Sequence, residues 1–390
     1  MAEAYIVDAV RTAGGRKGGR LKDWHPADLG GFVIDALLDR TSTDPELIED
    51  VIFGCVTQAG EQAFNVARAI ALSSRLPEST PGTTIDRQCG SSQQAIHFAA
   101  QAVMAGMADV VIAGGVESMT RVPMGLAASL PAKNGFGRPY GVRVAKRYDN
   151  AEFGQFKGAE MMARKYGLSK DLMDAYALES HRKATRAIQS GLFAQEIVAV
   201  PVKTDQGAQE LHATDEGVRA DASLEGIRNV KLLQEGGLIT AATASQICDG
   251  ASVTLVASER GLKRLGRPPI GRIHHMSVLG HDPVIMPEGP IPATQRAVSQ
   301  CGLGLGDIDL YEVNEAFASV PLAWLQALEA DPARLNVHGG AIALGHPLGA
   351  SGGRLMATLL QALKARGKRY GLQTMCEGGG MANVTVVERL

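Results

Sequence analysis

A glycine-dense run near the end of the chain constrains the fold more than any other part of the sequence. Residues 336–353 read NVHGGAIALGHPLGASGG and precede a helical pattern. Glycine costs backbone entropy, so this density indicates that the backbone turns tightly or is closely approached there. Two interpretations follow. The run either cradles a phosphate at a helix N-terminus or fixes His346 in a pose that serves chemistry.

Size and composition describe a globular protein of more than one domain. The chain has 390 residues, of which 45% are hydrophobic and 21% charged, and its net charge is −2. This length predicts two or three domains. A near-neutral charge does not favour nucleic acid or an anionic membrane surface as a partner. We expect no membrane span, because no apolar run reaches about 18–20 residues.

The cysteines and the N-terminus predict a cytoplasmic enzyme. Five cysteines are spread widely along the chain, and the start MAEAYIVDAVRT is strand-like rather than similar to a signal peptide. An odd number of dispersed cysteines indicates free thiols in a reducing compartment. None of them has metal-ligand spacing with histidine, so we expect no metal.

Alternating strand and helix patterns predict an α/β fold with a parallel or mixed sheet. In the first part, strands are predicted at 5–10, 51–55, 83–86 and 109–113, and helices at 27–38, 65–74 and 91–104. Residues 119–243 instead contain turns, charged helices (158–166 and 170–190) and polar loops, and they read as an insertion. Afterwards the alternation resumes, with predicted helices at 251–257, 293–300, after Asn314 and at 352–365, and strands at 272–278, 309–313, 371–376 and 382–388.

Cys89 is a candidate nucleophile because it lies between an apolar strand and a helix, in DRQCGSS. The positive end of the helix dipole should favour the thiolate and lower the pKa of this thiol. The alternative is an inert buried cysteine. That interpretation stands for Cys55, Cys248 and Cys301, which have no comparable setting.

Two further segments end strands with chemically useful residues. Cys376 and Glu377 are followed by three glycines, whose backbone amides could hold an oxyanion. Taken alone, the motif is better explained by a tight β-turn between the last two strands. Asn314 follows a predicted strand in NEAF. It is either a helix N-cap or a group that positions a water or a carbonyl.

His346 is better explained by chemistry than by phosphate binding. The glycine run lacks the Lys-Ser/Thr pair of a P-loop and the Gly-x-Gly-x-x-Gly pattern behind a strand. Held between Gly345 and Pro347, the histidine suits a general base or an oxyanion donor. His338 is predicted to be structural. Two thiols, one histidine and an oxyanion-binding turn together indicate acyl transfer through a covalent thioester.

These motifs resemble those of the thiolase family and follow the family order along almost the whole chain. The resemblance rests on Cys89 with its following Gly-Ser-Ser, on NEAF at Asn314, on Gly-His-Pro around His346 and on Cys-x-Gly-Gly-Gly at Cys376. It implies duplicated α/β halves stacked as five αβαβα layers with an inserted loop domain. The N-terminal half would span 1–118 and be completed by 246–270, the loop domain contacting CoA would span 119–245, and the C-terminal half 271–390.

The resemblance also implies a role for each site residue. Cys89 would be acylated, His346 would activate it, and Cys376 would be the acid and base for the acetyl-CoA carbon and the CoA thiol. Asn314 would hold a water that forms one oxyanion hole with His346, and the N–H groups of Cys89 and Gly378 would form the other. The residues expected to meet CoA or the acyl group are Arg219, Ser245, Met286 and Phe317.

Departures from the biosynthetic acetoacetyl type bear on the substrate. That type carries His-Met-Gly in its loop domain, where this chain has QFKGAE at 155–160. The chain is more similar to bacterial degradative thiolases, some of which act on bulky side chains, and this implies 3-ketoacyl-CoA cleavage. The alternatives are a biosynthetic acetoacetyl-CoA thiolase and a non-catalytic lipid-binding relative; Cys376 argues against a ketosynthase. CoA and acyl-CoA would be substrates, no cofactor would be bound permanently, and the assembly would be a homotetramer or a dimer.

Overall fold

The computed structural model describes residues 2–204 and 206–390, which fold into thirteen strands and thirteen α-helices linked by short 3₁₀ turns. The strands are Tyr5–Thr12 (β1), Gly15–Arg16 (β2), Asp50–Gly54 (β3), Gly82–Ile85 (β4), Val110–Ser118 (β5), Ile197–Val198 (β6), Val200–Lys203 (β7), Gln209–His212 (β8), Cys248–Ala257 (β9), Gly271–Gly280 (β10), Leu310–Val313 (β11), Tyr370–Glu377 (β12) and Met381–Arg389 (β13). The helices are Pro26–Thr41 (α1), Val66–Ser73 (α2), Ser91–Met104 (α3), Leu126–Lys133 (α4), Val142–Arg147 (α5), Gln155–Lys165 (α6), Lys170–Gln189 (α7), Leu224–Arg228 (α8), Glu259–Leu265 (α9), Pro290–Cys301 (α10), Ser319–Leu328 (α11), Ala341–Leu344 (α12) and Ser351–Ala365 (α13).

Two strand sets join edge to edge into one mixed sheet. Its order is β11-β12-β13-β10-β1-β9-β5-β3-β4, with β2 beside β9 and β6 beside β1. Within the described residues the strand pairing between the halves consists of two residue pairs, where β1 meets β10 at Tyr5↔Arg272 and Ile6↔Gly271. In the N-terminal half β3 runs parallel to β4 and β5, and in the C-terminal half β11 runs parallel to β12. The β7–β8 hairpin is separate.

Helices cover both faces of each strand set, which gives five layers. Helices α1 and α2 pack on the outer face of the N-terminal strands, where Leu37 and Ile70 belong to one apolar core. Helix α10 covers the outer face of β10, β12 and β13, and α11 packs against α10 and α6. Between the sets lie α3 and α13, which share a second core with β1, β5 and β10. The α/β class predicted from the sequence is confirmed.

The central helices α3 and α13 touch because glycine replaces a side chain at their contact. A Cβ at Gly352 would overlap the backbone N of Gln93. The Gly353 N–H donates to Ser92 Oγ at 2.9 Å, which locks the two helix beginnings together. Because α3 follows Cys89 directly and α13 follows His346 by five residues, this contact brings the two segments to the same place.

Two sequence predictions are wrong. Residues 251–257 form β9 and not a helix, because their Val and Thr side chains fill both faces of a buried central strand. Asn314 does not cap a helix, since the next helix begins only at Ser319 and its N-cap is Ala318. The other predicted elements appear within a few residues of their expected ends. The three domain boundaries stay a prediction, and in the described part of the chain no helix is long and apolar enough to cross a membrane.

Candidate active site

Cys89 sits on a strained turn between β4 and α3. Gln88 adopts a left-handed backbone with φ of 50°, an unfavourable conformation for a residue that is not glycine. Asp86 stabilises it by accepting the Gln88 backbone N–H at 2.6 Å and its side-chain amide at 3.1 Å. On the other side Ser91 Oγ accepts from the Arg87 N–H at 3.0 Å and donates to the Gln88 carbonyl at 2.6 Å. The cysteine is thereby presented at the start of the helix.

The surroundings keep the Cys89 thiol protonated. Burial raises the pKa of this thiol to about 12, and a negative charge on Glu377 would act in the same direction, whereas the backbone N–H groups of Cys89 and Gly378 act in the opposite one. The sequence-based expectation of a lowered pKa is therefore wrong, because desolvation outweighs the helix dipole. That these two N–H groups form an oxyanion hole stays a prediction.

His346 is fixed in one tautomer by its neighbours. Its Nδ1 lies 2.5 Å from Ser351 Oγ, and that hydroxyl donates to the Pro347 carbonyl at 3.0 Å. Since the hydroxyl proton is used there, Ser351 accepts the Nδ1–H, and the lone pair remains on Nε2. The Asn314 side-chain Nδ2 lies 3.4 Å from this Nε2. The acceptor nitrogen therefore faces the site.

Electrostatics keep this histidine neutral. Burial, and then the positive charge of Arg354, lower the pKa of His346 to about 3. A neutral imidazole with a free Nε2 can take a proton from a thiol. The glycine run serves this pose: Gly345 has φ of 88°, and a Cβ there would lie 2.6 Å from the Cys248 sulfur. This geometry favours the chemical interpretation of the run over a phosphate cradle.

Asn314 and Cys376 end neighbouring parallel strands, β11 and β12. The Asn314 backbone N–H donates to the Thr374 carbonyl at 3.1 Å, two residues before Cys376. Asn314 Oδ1 is buried and has no hydrogen-bond partner among the described residues, so it is available to a water or a substrate. Next to it, Glu315 fixes the segment by accepting hydrogen bonds from Ser180, Tyr176 and the Ile342 N–H.

Cys376 lies against the nucleophile. Burial raises the pKa of the Cys376 thiol well above its usual value, and a negative charge on Cys89 or on Glu377 would raise it further. The two thiols therefore act on each other electrostatically. Gly378 is held close by the turn before it, since a Cβ there would lie 2.6 Å from Gln88 Oε1. The structure brings Cys89, Cys376 and Gly378 together at one edge of the sheet.

The residues expected to meet CoA or the acyl group fall into two groups. Ser245 donates its N–H to the Ala316 carbonyl at 2.9 Å, and Phe317 packs edge-on against Phe156 at 5.4 Å between ring centroids. Met286 is buried with φ of 28°, a strained backbone beside the site. Arg219 instead is exposed, and its N–H donates to His181 Nδ1 at 3.2 Å. Nothing in its contacts ties it to the catalytic groups.

An apolar cavity of about 630 Å³ opens in the 125–153 segment. Its lining includes Ala132, Val144 and the aromatic pair Tyr140 and Phe153, whose rings meet edge-on at 5.2 Å. The Tyr140 hydroxyl lies 4.0 Å from the position that a Cβ would take at Gly379, in the turn after Cys376. One residue of the cavity lining, Tyr140, therefore lies near the turn that follows Cys376.

Sequence reasoning missed three residues of the site. Ser351 orients the histidine, Gln88 adopts the left-handed backbone of the turn, and Glu377 lies near both thiols. The glycine run pointed to Ser351, which follows His346 by five residues, but no pattern distinguished it from a helix-starting serine. His338 is buried against the Phe193 ring at 5.9 Å, as a structural residue would be. Within the described residues no group of three or more His, Cys, Asp or Glu side chains could hold a metal ion.

Known proteins match this chain over its full length. The thiolase N-terminal domain model matches residues 4–260 and the thiolase C-terminal domain model residues 267–389. The Mycobacterium tuberculosis protein named steroid 3-ketoacyl-CoA thiolase FadA6 is 52% identical over 100% of this chain and 95% of its own length. A 3-ketoacyl-CoA thiolase of Marinobacter nauticus is 41% identical over 100% and 98%.

Solved structures agree. The crystal structure of human mitochondrial 3-ketoacyl-CoA thiolase has a TM-score of 0.90 and 36% identity, covering 100% of this chain and 99% of that one. The Bacillus anthracis acetyl-CoA acetyltransferase gives the same TM-score at 34% identity and the same coverage. The fold, the family and the enzyme class predicted from the sequence are confirmed, and thiolytic cleavage is favoured over the alternatives. The chain belongs to the thiolase family and is an acyltransferase.

Proposed function

We propose that this enzyme cleaves 3-ketoacyl-CoA with CoA, releasing acetyl-CoA and a shortened acyl-CoA through a thioester on Cys89. One arrangement carries the proposal. The turn after Cys376 packs on the turn that holds Cys89, since Gly378 lies against Gln88 and Glu377 against Gly90. His346, whose Nδ1 lies 2.5 Å from Ser351 Oγ, keeps its Nε2 beside Asn314. These are the groups that a two-step acyl transfer requires.

In the first step His346 Nε2 takes the proton of Cys89, and the sulfur attacks C3 of the substrate. The C2–C3 bond then breaks and leaves the enolate of acetyl-CoA. The protonated Nε2 and the Asn314 side chain, 3.4 Å apart, stabilise the oxygen that gains charge, with a water at Asn314 as the family resemblance implies. The Cys376 thiol protonates the enolate carbon and becomes a thiolate.

In the second step the Cys376 thiolate takes the proton of CoA, and the CoA sulfur attacks the thioester. The N–H groups of Cys89 and Gly378, which both favour negative charge on the Cys89 sulfur, are proposed to stabilise the tetrahedral oxyanion that forms beside it. Collapse of this intermediate expels the Cys89 sulfur, which recovers its proton from His346. Each catalytic group returns to its starting state, and CoA is consumed as a substrate; no permanently bound cofactor takes part in the proposed path.

The acyl group of the substrate is proposed to be bulky. The cavity lined by Ala132 and Phe153 has a volume of about 630 Å³, which lies within the range of about 300–1,000 Å³ typical of small-molecule sites. Its mostly apolar lining suits a hydrocarbon group, and the proximity of its Tyr140 to the turn at Gly379 supports a place for the acyl group there. The relative named a steroid 3-ketoacyl-CoA thiolase is consistent with this choice over the biosynthetic acetoacetyl-CoA reaction.

Further proposals concern assembly and CoA binding. We propose that residues 119–245 form the loop domain over CoA, with Arg219 and Ser245 among its contacts and Met286 and Phe317 on the acyl side. The exposed edge strand β4 supports association into a homodimer or homotetramer, because an unpaired strand edge is a ready pairing surface. A cytoplasmic location follows from the free cysteines and stays a proposal.

Intact-mass measurement tests the covalent step. After mixing with acetyl-CoA or acetoacetyl-CoA, the wild-type chain should gain the mass of one acetyl group, whereas C89A should gain none. C301A is the matched control, because Cys301 is a partly exposed free thiol whose Sγ donates to the Val298 and Leu303 carbonyls around the end of α10. An undiminished adduct on C89A would refute the assignment of the nucleophile.

A substrate series tests the acyl group. CoA-dependent cleavage should be measured on 3-ketoacyl-CoAs from acetoacetyl-CoA to long, branched and polycyclic members. We expect kcat/KM to rise with the apolar bulk of the acyl group, since each buried CH₂ contributes about 0.8 kcal/mol. A preference for acetoacetyl-CoA would overturn the degradative assignment and support the biosynthetic one.

A further inference from the structure

A buried carboxyl group lies directly behind the two thiols and has no part in the steps above. Glu377 follows Cys376 at the end of β12, and only 2% of its surface is exposed. Neither of its carboxyl oxygens has a hydrogen-bond partner within the described part of the chain. A carboxylate in such a place would be both desolvated and unpaired, which is among the most unfavourable states for a charged group.

The same is true of the side chain that faces it. Asn383 on β13 is fully buried, and both its Oδ1 and Nδ2 are unpaired among the described residues. A Cβ added at Gly90, the residue after the nucleophile, would overlap both Glu377 Oε1 and Asn383 Oδ1. The two oxygens therefore lie close together, on either side of one position at the beginning of α3. Two oxygens facing each other attract only when one of them carries a proton.

The ionisable groups around Glu377 do not compensate a negative charge on it. They are Asp86, Arg87 and Cys89 in the turn before α3, and Cys376 on its own strand. Arg87 makes no ion pair with Glu377 in the described structure; its guanidinium instead reaches Met381 Sδ at 3.5 Å. Burial raises the pKa of Glu377 well above its usual value, and Arg87 and the Asn383 backbone N–H oppose this without offsetting it.

We propose that Glu377 is a positioning residue that stays protonated during thiolysis. Its O–H donates a hydrogen bond to Asn383 Oδ1, and this bond fixes the hairpin of β12 and β13 against Gly90. A neutral Glu377 adds no negative charge beside the two thiols. The site can then hold the single negative charge that forms during the reaction, on Cys89, on Cys376 or on the substrate oxygen. This inference rests on the proposed function for its catalytic meaning, but the protonation state itself can be measured without turnover.

The consequence for the reaction is electrostatic. An ionised Glu377 would oppose the formation of the Cys89 thiolate and of the Cys376 thiolate, because like charges in a desolvated site disfavour each other. A neutral Glu377 avoids this opposition and still bridges β12, β13 and the first turn of α3. Its role is therefore to hold the Gly378 N–H in line with the Cys89 sulfur without adding charge.

Two measurements on wild type, E377Q and E377L test the proposal. The first is the infrared C=O stretching band of a protonated carboxylic acid at neutral pH, taken as the difference between wild type and E377Q. The second is the pH dependence of Cys89 alkylation by iodoacetamide, followed by peptide mass mapping so that the other thiols are counted separately. E377Q keeps the shape and a donor, whereas E377L removes the hydrogen bond without adding a charge.

We expect a positive carboxylic-acid band in the difference spectrum, and midpoints of alkylation in E377Q and E377L within about 0.3 pH unit of wild type. Turnover should fall at least tenfold in E377L and be largely restored in E377Q. An absent band, or a midpoint moved one pH unit or more towards acid in E377Q, would show an ionised Glu377 and overturn the proposal. Failure of wild type to acylate would refute the proposed function instead, and the infrared result would stand apart from it.

Discussion

At the scale of single residues, the pose of His346 depends on a hydroxyl group. Ser351 accepts the Nδ1–H and so keeps the lone pair on Nε2. We expect S351A to lower the rate of Cys89 acylation about tenfold to a hundredfold, the range found when partners that orient histidine ligands in metal sites are removed. The rate is measured by rapid quench and intact mass. S319A is the control, because Ser319 is also a buried helix-starting serine but its hydroxyl is unpaired within the described residues.

The two thiols should separate into two functions. C376A should still form the Cys89 thioester, because the nucleophile, its base and the N–H groups remain. It should neither cleave nor condense carbon–carbon bonds, with a loss of about 10²–10⁴-fold that is typical of a general acid or base. Thioester formation is followed by mass and turnover by the absorbance of the 3-ketoacyl-CoA. Turnover within tenfold of wild type would remove the acid and base role from Cys376.

The sequence identified the residues that react but not those that prepare them. Cys89, Cys376 and His346 lie in motifs with unusual glycine patterns, and such patterns are visible in the sequence alone. Ser351, Gln88 and Glu377 are ordinary residue types, and their importance comes from contacts across the fold. The direction of the Cys89 pKa shift was also inaccessible, because it depends on burial and on a carboxyl group 288 positions away in the chain.

At the scale of elements, the contact between α3 and α13 holds the two catalytic segments together. We expect G352A to destabilise the protein by about 1–3 kcal/mol, the usual cost of overpacking, because the new Cβ meets the backbone of Gln93, which cannot move aside. Acylation should fall as well, since Cys89 and His346 are no longer held together. Urea denaturation and the acylation rate measure the two effects.

The comparison variant for this contact is G306A, because a Cβ at Gly306 meets no described atom within 4 Å. We expect its midpoint of urea denaturation to lie within experimental error of the wild-type value. Equal stability of G352A and G306A would show that the helices can separate without cost.

A buried histidine between α3 and β13 should make stability depend on pH. His97 Nε2 lies 2.7 Å from Thr385 Oγ1, and burial lowers the pKa of His97 to about 3, against about 6.5 in the unfolded chain. Between these values the unfolded state binds more protons, so the free energy of unfolding falls as the pH falls. Relative to H97Q, wild type should lose about 2 kcal/mol between pH 7 and pH 5. Urea denaturation at both values tests this, with H274Q at a partly exposed histidine as the control.

Most elements were predicted close to their observed bounds, and one buried strand was mistaken for a helix. The helix at 91–104 begins and ends where it was predicted, and the buried strands β12 and β13 extend only one residue beyond their predicted ends. Residues 251–257 were predicted as a helix, but their Val and Thr side chains lie in a strand that is buried on both faces. Periodicity carries no information in such a strand, and only its neighbours β1 and β5 decide the conformation.

At the scale of the whole molecule, the two α/β halves form the catalytic edge and the segment between them forms the cavity. The halves were predicted from the alternation of elements, but the joining of β1 to β10 could not be, because strand pairing over 260 residues leaves no local pattern. The same limit applies to the cavity: residues 125–153 show turns and charges in the sequence, and only the folded chain brings Tyr140 to Gly379.

This arrangement predicts that substrate size can be changed without changing the chemistry. A132W should fill part of the 630 Å³ cavity, while Cys89, His346 and Cys376 keep their contacts. We expect kcat/KM for a polycyclic or long-chain 3-ketoacyl-CoA to fall at least tenfold, since a lost contact of about 1.4 kcal/mol already gives that factor. The value for acetoacetyl-CoA should stay within twofold, and so should both values in A333W, which adds the same ring to an exposed turn. Equal losses on both substrates in A132W would mean that the cavity supports the fold of the site and does not hold the acyl group.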